Sequence, residues 1–390
     1  MPVQDRLWPP VAPRPRRAAK GGAINTQRIT SGAPHVRAVT SLARIQAMRA
    51  LATVPVLVAA ILNTGYQYLV AVDVAGGDGP HDWRDRAVVS FGIDVSDPIV
   101  VDVIVAGLVH VLPVFGVALL TGLVWDLVFA AQRQRRLESG VFVIALIFTL
   151  LMPPAVSLIH VVFGMSFATV FGKHVFGGEG KTFLNPALVG AAIMQISFSA
   201  ALTGHPLWTG IAGYAGTRAF ANYHQQGPDG FAWMGIDWWG SFVGNVPGMM
   251  GTTSVLAVVL GGAILLLTRI ASWRLIGGQL LGMIFMATLV NGLAGAAGVA
   301  TLAWYWHLVL GSFAFGAVFV ATDPASSAST NAGRWIQGFV AGALVVIIRV
   351  ANPAHPDGVI AALLLASILA PLIDHIAIWF NVRRRAARDG

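Results

Sequence analysis

The chain has 390 residues, of which 56% are hydrophobic and 11% charged, with no cysteine and a formal net charge of +8. Its mean hydropathy is +0.72. Soluble domains carry about 25% charged residues, so this composition excludes an ordinary soluble domain and predicts an all-α polytopic membrane protein.

Without cysteine the chain has no disulfide and no thiolate to hold an iron–sulfur cluster. Any redox role must therefore use an organic cofactor or a metal held by other residues. Residues 1–35 are rich in Pro, Arg and Ala and have no apolar core. They lack the pattern of a cleavable signal peptide and are expected to form a basic cytoplasmic tail. Its run from Arg14 to Lys20 can meet anionic lipid or a neighbouring subunit.

A membrane domain is expected over residues 36–380, followed by a short basic tail at 381–390. A crossing helix needs about 20 apolar residues. Ten stretches are predicted as spans, several of them short: 50–72, 99–130, 140–155, 157–172, 185–203, 250–268, 275–297, 303–322, 335–350 and 358–380. With the N-terminus in the cytoplasm, 21 of the 25 Lys and Arg residues fall on that side; only Arg84, Arg86, Arg218 and Arg349 fall outside. This asymmetry supports ten crossings with both ends cytoplasmic. It also accounts for the basic charge as a topology signal, without nucleic acid. Residues 73–98, with Asp73, Asp78, Asp82 and Asp85, are expected to be an acidic external loop. Residues 204–249 are the largest external segment, where Trp238 and Trp239 suit the membrane interface and Tyr214 suits stacking on a flat cofactor.

Acids inside apolar runs are expensive and mark function by default. Asp126, in TGLVWDLVFA, is the leading candidate for an ion path, with an ion pair to the basic loop Arg133–Arg136 as the structural alternative. Gly122 and Trp125 are its neighbours on the same stretch. Asp102 and Asp374 are similar acids, and Asp374 is assigned to the ion path. Asp323, before Pro324, reads first as a turn residue, with Thr322, Ser326 and Ser327 as further oxygen donors. His110, His160, His174 and His307 show no metal spacing and are expected to be buried and hydrogen-bonded.

The most informative stretch is Gly172–Ala192, GKHVFGGEGKTFLNPALVGAA. It sets a Gly-rich polar break and an Asn-Pro pair between two apolar stretches. Backbone in the hydrocarbon layer must be satisfied internally, so a broken span faces protein, ligand or a water-filled cavity. Asn185 and Pro186 then open a helix whose free N–H groups suit a carbonyl-rich ligand. The plainer expectation is an Asn cap with Pro at the first helical position. The run ending Lys181-Thr182 lacks the earlier glycine of a phosphate-binding loop, because Val175 stands there. GMSFATVFGKHVFGGEGKT, from Gly164, has an echo in GSFAFGAVFVATDPASSAST, from Gly311, which suggests two related halves.

Several longer motifs run in order along the chain: VFGGEGKTFLNPALVG, TGIAGYAGTRAF, IASWRLIGG, YWHLVLGSFAFGAVFVATDPASSASTNAGRW, RVANPAHPDG and LAPLIDH. Together they resemble NqrB, a membrane subunit of the sodium-pumping NADH:quinone oxidoreductase, and, more distantly, RnfD of the Rnf complex. The resemblance runs from about residue 33 to the C-terminal arginines. It implies a ten-helix subunit of a redox pump in the bacterial cytoplasmic membrane, with riboflavin, FMN and ubiquinone, and it points to Asp126 with Gly122 and Trp125 as support for the quinone site. The partners it implies carry the NADH site, FAD and iron–sulfur clusters.

Such subunits carry FMN through its phosphate on a threonine that closes an Asp-Gly-x-Ser-Gly-Ala-Thr motif. The matching stretch here is Ala212-Gly213-Tyr214-Ala215-Gly216-Thr217-Arg218. Ala212 replaces the Asp, Ala215 the Ser and Arg218 the modified Thr. Arginine cannot form the phosphoester. Thr217, one residue earlier, offers a hydroxyl, and Arg218 offers a bidentate partner to a phosphate held without a bond. The third outcome is loss of this flavin, leaving a diverged scaffold subunit. Broken helices alone would also fit a small-solute transporter.

Overall fold

The computed structural model describes residues 41–74, 83–93, 98–134, 137–199, 202, 220, 223, 226–227, 230–231, 235–293, 298–352 and 357–389. The described residues are helical and joined by turns, with no strand among them. The first half holds α1 (Leu42–Val74), α2 (Trp83–Ser90), α3 (Val100–Arg133), α4 (Val141–Leu150), α5 (Leu158–Thr169) and α6 (Pro186–Ser197). The second holds α7 (Trp238–Val243), α8 (Val255–Leu267), α9 (Trp273–Leu293), α10 (Trp304–Val309), α11 (Phe313–Phe315), α12 (Asn331–Ala351) and α13 (Val359–Asp389).

Each of the ten expected stretches contains a helix, but only α1, α3, α9, α12 and α13 are long and apolar enough to cross a bilayer alone. At most 44% of the central window of any of these is buried, so each presents a large apolar face outward, as a lipid solvent requires. The remainder are shorter. The ten residues of α4 rise about 15 Å, half of a ~30 Å hydrocarbon core. The expected span 303–322 is broken at Leu310–Ser312, where Gly311 adopts φ +73°.

That break is stable because its backbone groups have partners. Arg349 of α12 is fully buried and donates to the carbonyls of His307 (2.9 Å), Leu310 (3.1 Å) and Asp357 (3.0 Å). The Asp357 carboxylate accepts from the Ser312 N–H (2.9 Å) and hydroxyl and lies 3.3 Å from Arg349 Nη2. Phe220 covers the guanidinium at 4.6 Å.

Small residues set the main helix contacts. In α9 and α12 two Gly-x-x-x-Gly pairs, Gly278/Gly282 and Gly338/Gly342, face each other. A Cβ on Gly282 would strike the Phe339 carbonyl, and one on Gly342 the Gln279 carbonyl. Gly65 in α1 and Gly107 in α3 meet the carbonyls of Val103 and Ile61 in the same way. Without a hydrophobic drive between helices in lipid, such backbone-to-backbone contact is what holds them.

Candidate functional site

The two echoing stretches have the same local structure. α5 continues into a π turn at Val170–His174, closed by the Val175 N–H on the Val170 carbonyl (2.9 Å). α11 continues into a π turn at Gly316–Val320, closed by the Ala321 N–H on the Gly316 carbonyl (2.8 Å). Each turn opens a polar break, and each break ends at a capped helix. Such π turns are rare and concentrate at functional sites.

In the first break the π turn brings two consecutive side chains onto one carboxylate. Lys173 Nζ lies 2.9 Å and 2.8 Å from the two oxygens of Asp126, and His174 Nε2 lies 2.7 Å from Asp126 Oδ1. All three residues are buried. Lys173 Nζ also reaches Glu138 Oε2 at 3.1 Å. The His174 ring stacks on Phe129 at 4.3 Å, and its carbonyl accepts from Arg133 at 2.9 Å. Arg133 thus serves the backbone of the π turn, while Lys173 and His174 are the observed partners of Asp126. The glycine run that follows takes left-handed conformations at Gly177, Gly178 and Gly180. It carries Glu179 back, so that the Glu179 N–H donates to Glu138 (2.9 Å) and Glu179 Oε2 accepts from the Gly140 N–H (3.1 Å).

Asn185 caps α6 as expected: its Oδ1 accepts from the Ala187 N–H at 3.0 Å, with Pro186 at the first helical position. Its amide does a second job that the sequence did not signal. Nδ2 donates to the Val320 carbonyl at 3.3 Å, tying the first break to the π turn of the second. Gly172 lies against Pro186, where an added Cβ would come within 2.8 Å of the Pro186 Cα.

In the second break Asp323 is a turn residue, its carbonyl accepting from Ser326 (3.2 Å) and Ser327 (3.1 Å). Its side chain pairs with Arg49 of α1 at 3.2 Å. Thr330 caps α12 through the Gly333 N–H (3.0 Å). Asp374 of α13 accepts from the N–H groups of Ser329 (2.6 Å) and Thr330 (3.0 Å) and from the Thr330 hydroxyl (2.6 Å).

Where the two breaks meet there is a cavity of about 170 Å³. Its lining includes Gln46 and Arg49 of α1, Val143, Ile144 and Ile147 of α4, and Lys173, Glu179, Thr182, Asn185, Pro186 and Asp323 from the breaks. Exposed Leu42, Gly180 and Pro324 lie among its lining residues and mark its open side, while Arg49, Lys173, Thr182, Asn185 and Asp323 are buried. One wall is aliphatic and the floor carries both donors and acceptors. Two buried acceptors of the lining, Gln46 Oε1 and Glu179 Oε1, have no hydrogen-bond partner among the described residues. Buried cations, acceptors and an aliphatic wall together give the cavity the chemistry of a ligand site.

A family model described as NQR2, RnfD, RnfE matches residues 29–382. The chain belongs to this family. It is 40% identical over 369 residues to the NqrB subunit of the Na(+)-translocating NADH-quinone reductase of Pseudomonas aeruginosa, covering 93% of this chain and 90% of the relative. The corresponding subunit of Azotobacter vinelandii is 39% identical over 367 residues and that of Neisseria meningitidis 37% over 369, with the same coverage.

Within this family member the expected site residues fall into three places. Asn185 and Pro186 line the cavity. Gly122, Trp125 and Asp126 share one face of α3: Gly122 packs so closely that a Cβ would meet Val141 Cγ2 at 2.6 Å and Met165 Cε at 2.7 Å. Trp125 donates to the Ser166 hydroxyl at 3.0 Å. Asp374 shares no hydrogen-bond partner with Asp126 and sits at the N-terminus of α12. Asp102, the remaining acid, accepts from the Ile99 N–H (3.0 Å) at the start of α3. Gly213, Tyr214, Gly216, Thr217 and Arg218 lie outside the described residues. His110, His174 and His307 are buried and hydrogen-bonded as expected, whereas His160 is only half-buried and packs on the Phe198 ring at 4.2 Å; no group of three or more acidic or histidine side chains able to hold a metal occurs among the described residues.

Proposed function

We propose that this chain is the NqrB subunit of a sodium-translocating NADH:quinone reductase complex, placed in the bacterial cytoplasmic membrane with both termini inside. The identity to such subunits across nearly the whole chain carries this reading. Iron–sulfur chemistry belongs to partner subunits, since this chain has no cysteine, and NADH oxidation and FAD are assigned to those partners as well.

Within that complex the cavity between the two breaks is proposed to hold a flavin of the riboflavin type. A flavin presents a flat apolar ring with a polar pyrimidine edge, in which an N–H donor stands between two carbonyl acceptors. The unmatched Gln46 and Glu179 oxygens suit that N–H, and Arg49, Lys173 and Asn185 suit the carbonyls, while Val143, Ile144 and Ile147 suit the ring. A cavity of ~150 Å³ takes a benzene-sized ring, so this one accepts the polar end of the molecule and leaves the rest toward Leu42 and Gly180. Bound flavin supplies reversible one- and two-electron transfer. The chain's own residues orient it, exclude water from its polar edge and hold charge beside it. The Gly122–Trp125–Asp126 face of α3 is assigned to the ubiquinone site, with Asp126 and Asp374 on the ion path.

The motif at Ala212–Arg218 is proposed to hold FMN without a covalent bond, Arg218 pairing with its phosphate and Gly213, Tyr214, Gly216 and Thr217 supplying the surrounding loop. Acid precipitation of the purified complex, followed by chromatographic separation of riboflavin, FMN and the partners' FAD in the supernatant and intact mass of this chain, tests both assignments. The expected result is released flavin and an unmodified mass. A mass increase equal to an FMN phosphoester would overturn non-covalent binding, with Thr217 as the site to map. Absence of both riboflavin and FMN, with only the partners' FAD released, would favour a diverged scaffold subunit.

A further inference from the structure

The cavity floor holds two buried cations, and they are balanced differently. Arg49 meets one carboxylate, Asp323, at 3.2 Å. Lys173 offers a single ammonium to both oxygens of Asp126 and to Glu138. The Asp126 side chain is 1% exposed and that of Glu138 is 27% exposed. One charge is therefore divided between an interior acid, an acid with access to water, and the cavity that it lines. The π turn makes this possible, because it aims Lys173 and His174 at Asp126 from adjacent positions in the chain.

We infer that Lys173 is the positioning residue that couples charge in the cavity to Asp126. This rests on the cavity being the flavin site. An electron added in the cavity draws the ammonium toward it and weakens its hold on Asp126, whose oxygens then become available to another cation. Conversely, a cation that satisfies Asp126 frees Lys173 to stabilise the reduced ligand. No bond is made or broken in this exchange. The coupling is reciprocal, as any linkage between two sites must be. A buried ion pair serving only the fold would bind Asp126 without responding to the cavity.

The test is a dithionite titration of the purified complex at low and high sodium, with the transition of the cavity flavin resolved by its difference spectrum from those of the FMN and of the partners' FAD. Asp126→Asn keeps the shape of the acid and leaves Lys173 less neutralised, so the midpoint potential should rise. Lys173→Gln should lower it, Lys173→Arg should stay near the wild-type value, and the double variant Asp126→Asn/Lys173→Gln should return toward it. The shift between low and high sodium seen in the wild type should vanish in Asp126→Asn. If flavin is retained and Asp126→Asn leaves both the potential and its sodium dependence unmoved, the coupling is wrong although the cavity assignment stands. A wild-type complex in which this chain carries no flavin in the cavity would remove the assignment and the coupling with it.

Discussion

The two polar breaks share a fold and differ in how completely their polar atoms are matched. In the second, Asp323 has Arg49, Thr330 caps α12, and Asp374 takes up the N–H groups of Ser329 and Thr330. Just upstream, Arg349 and Asp357 answer the groups left free at Leu310–Ser312. The first break carries more charge and is less settled: Lys173 is shared by two acids, and Glu179 Oε1 points at nothing among the described residues. One break is built as a fixed wall. The other keeps polar capacity in reserve for a ligand.

The largest effect should come from unlocking the fixed side. Arg349→Met takes the donor from the carbonyls of His307, Leu310 and Asp357 and leaves the buried Asp357 carboxylate with only the Ser312 N–H and hydroxyl, and breaking a buried pair costs about 3–5 kcal/mol. Thermal unfolding in detergent should show that loss, and a wild-type-like transition would mean the second half does not depend on this lock. Next, Asp374→Ala removes three hydrogen bonds at the start of α12 and should cost about 1–2 kcal/mol. If sodium-dependent turnover collapses while the unfolding transition stays put, Asp374 acts on the ion path independently of its cap. The smallest change in stability, under about 0.5 kcal/mol, is expected for Glu179→Gln. Its amide would keep the Gly140 contact through oxygen and put an N–H where the unmatched carboxylate oxygen stands. A lost hydrogen bond of about 1 kcal/mol is roughly fivefold in affinity, so flavin retention after gel filtration should drop by that order. Unchanged retention would place the ligand away from Glu179.

The first break was legible because composition there departs from its surroundings: glycines, a glutamate and an Asn-Pro pair interrupt an apolar run, and Asn185 caps α6 as such a pair predicts. Asp126 was legible as an acid where acids are expensive. Lys173 was not. In a hydropathy reading it counts as one more basic residue near a span end, and only the extra residue of the π turn carries it inward to Asp126. The interruption of 303–322 was hidden for a similar reason. Apart from His307, Ser312 and Thr322 its residues are apolar or glycine, and the partners that make the break tolerable, Arg349 and Asp357, lie some forty residues further along the chain. The Gly-x-x-x-Gly pairs of α9 and α12 are plain in the sequence once paired, but nothing local to either helix says that the two belong together.

Those glycine pairs constrain how the protein is made. α10, α11 and the π turn after them lie in sequence between α9 and α12, and none of them alone is long enough to sit stably across a bilayer. Their unpaired backbone finds its donors on α12, chiefly at Arg349. The emerging chain must therefore keep the 298–330 stretch sheltered until α12 has left the insertion machinery and closed on α9. Assembly of this half becomes a late, single event at the end of synthesis, and a ribosome stalled before Arg349 would leave behind a segment that the membrane cannot accommodate.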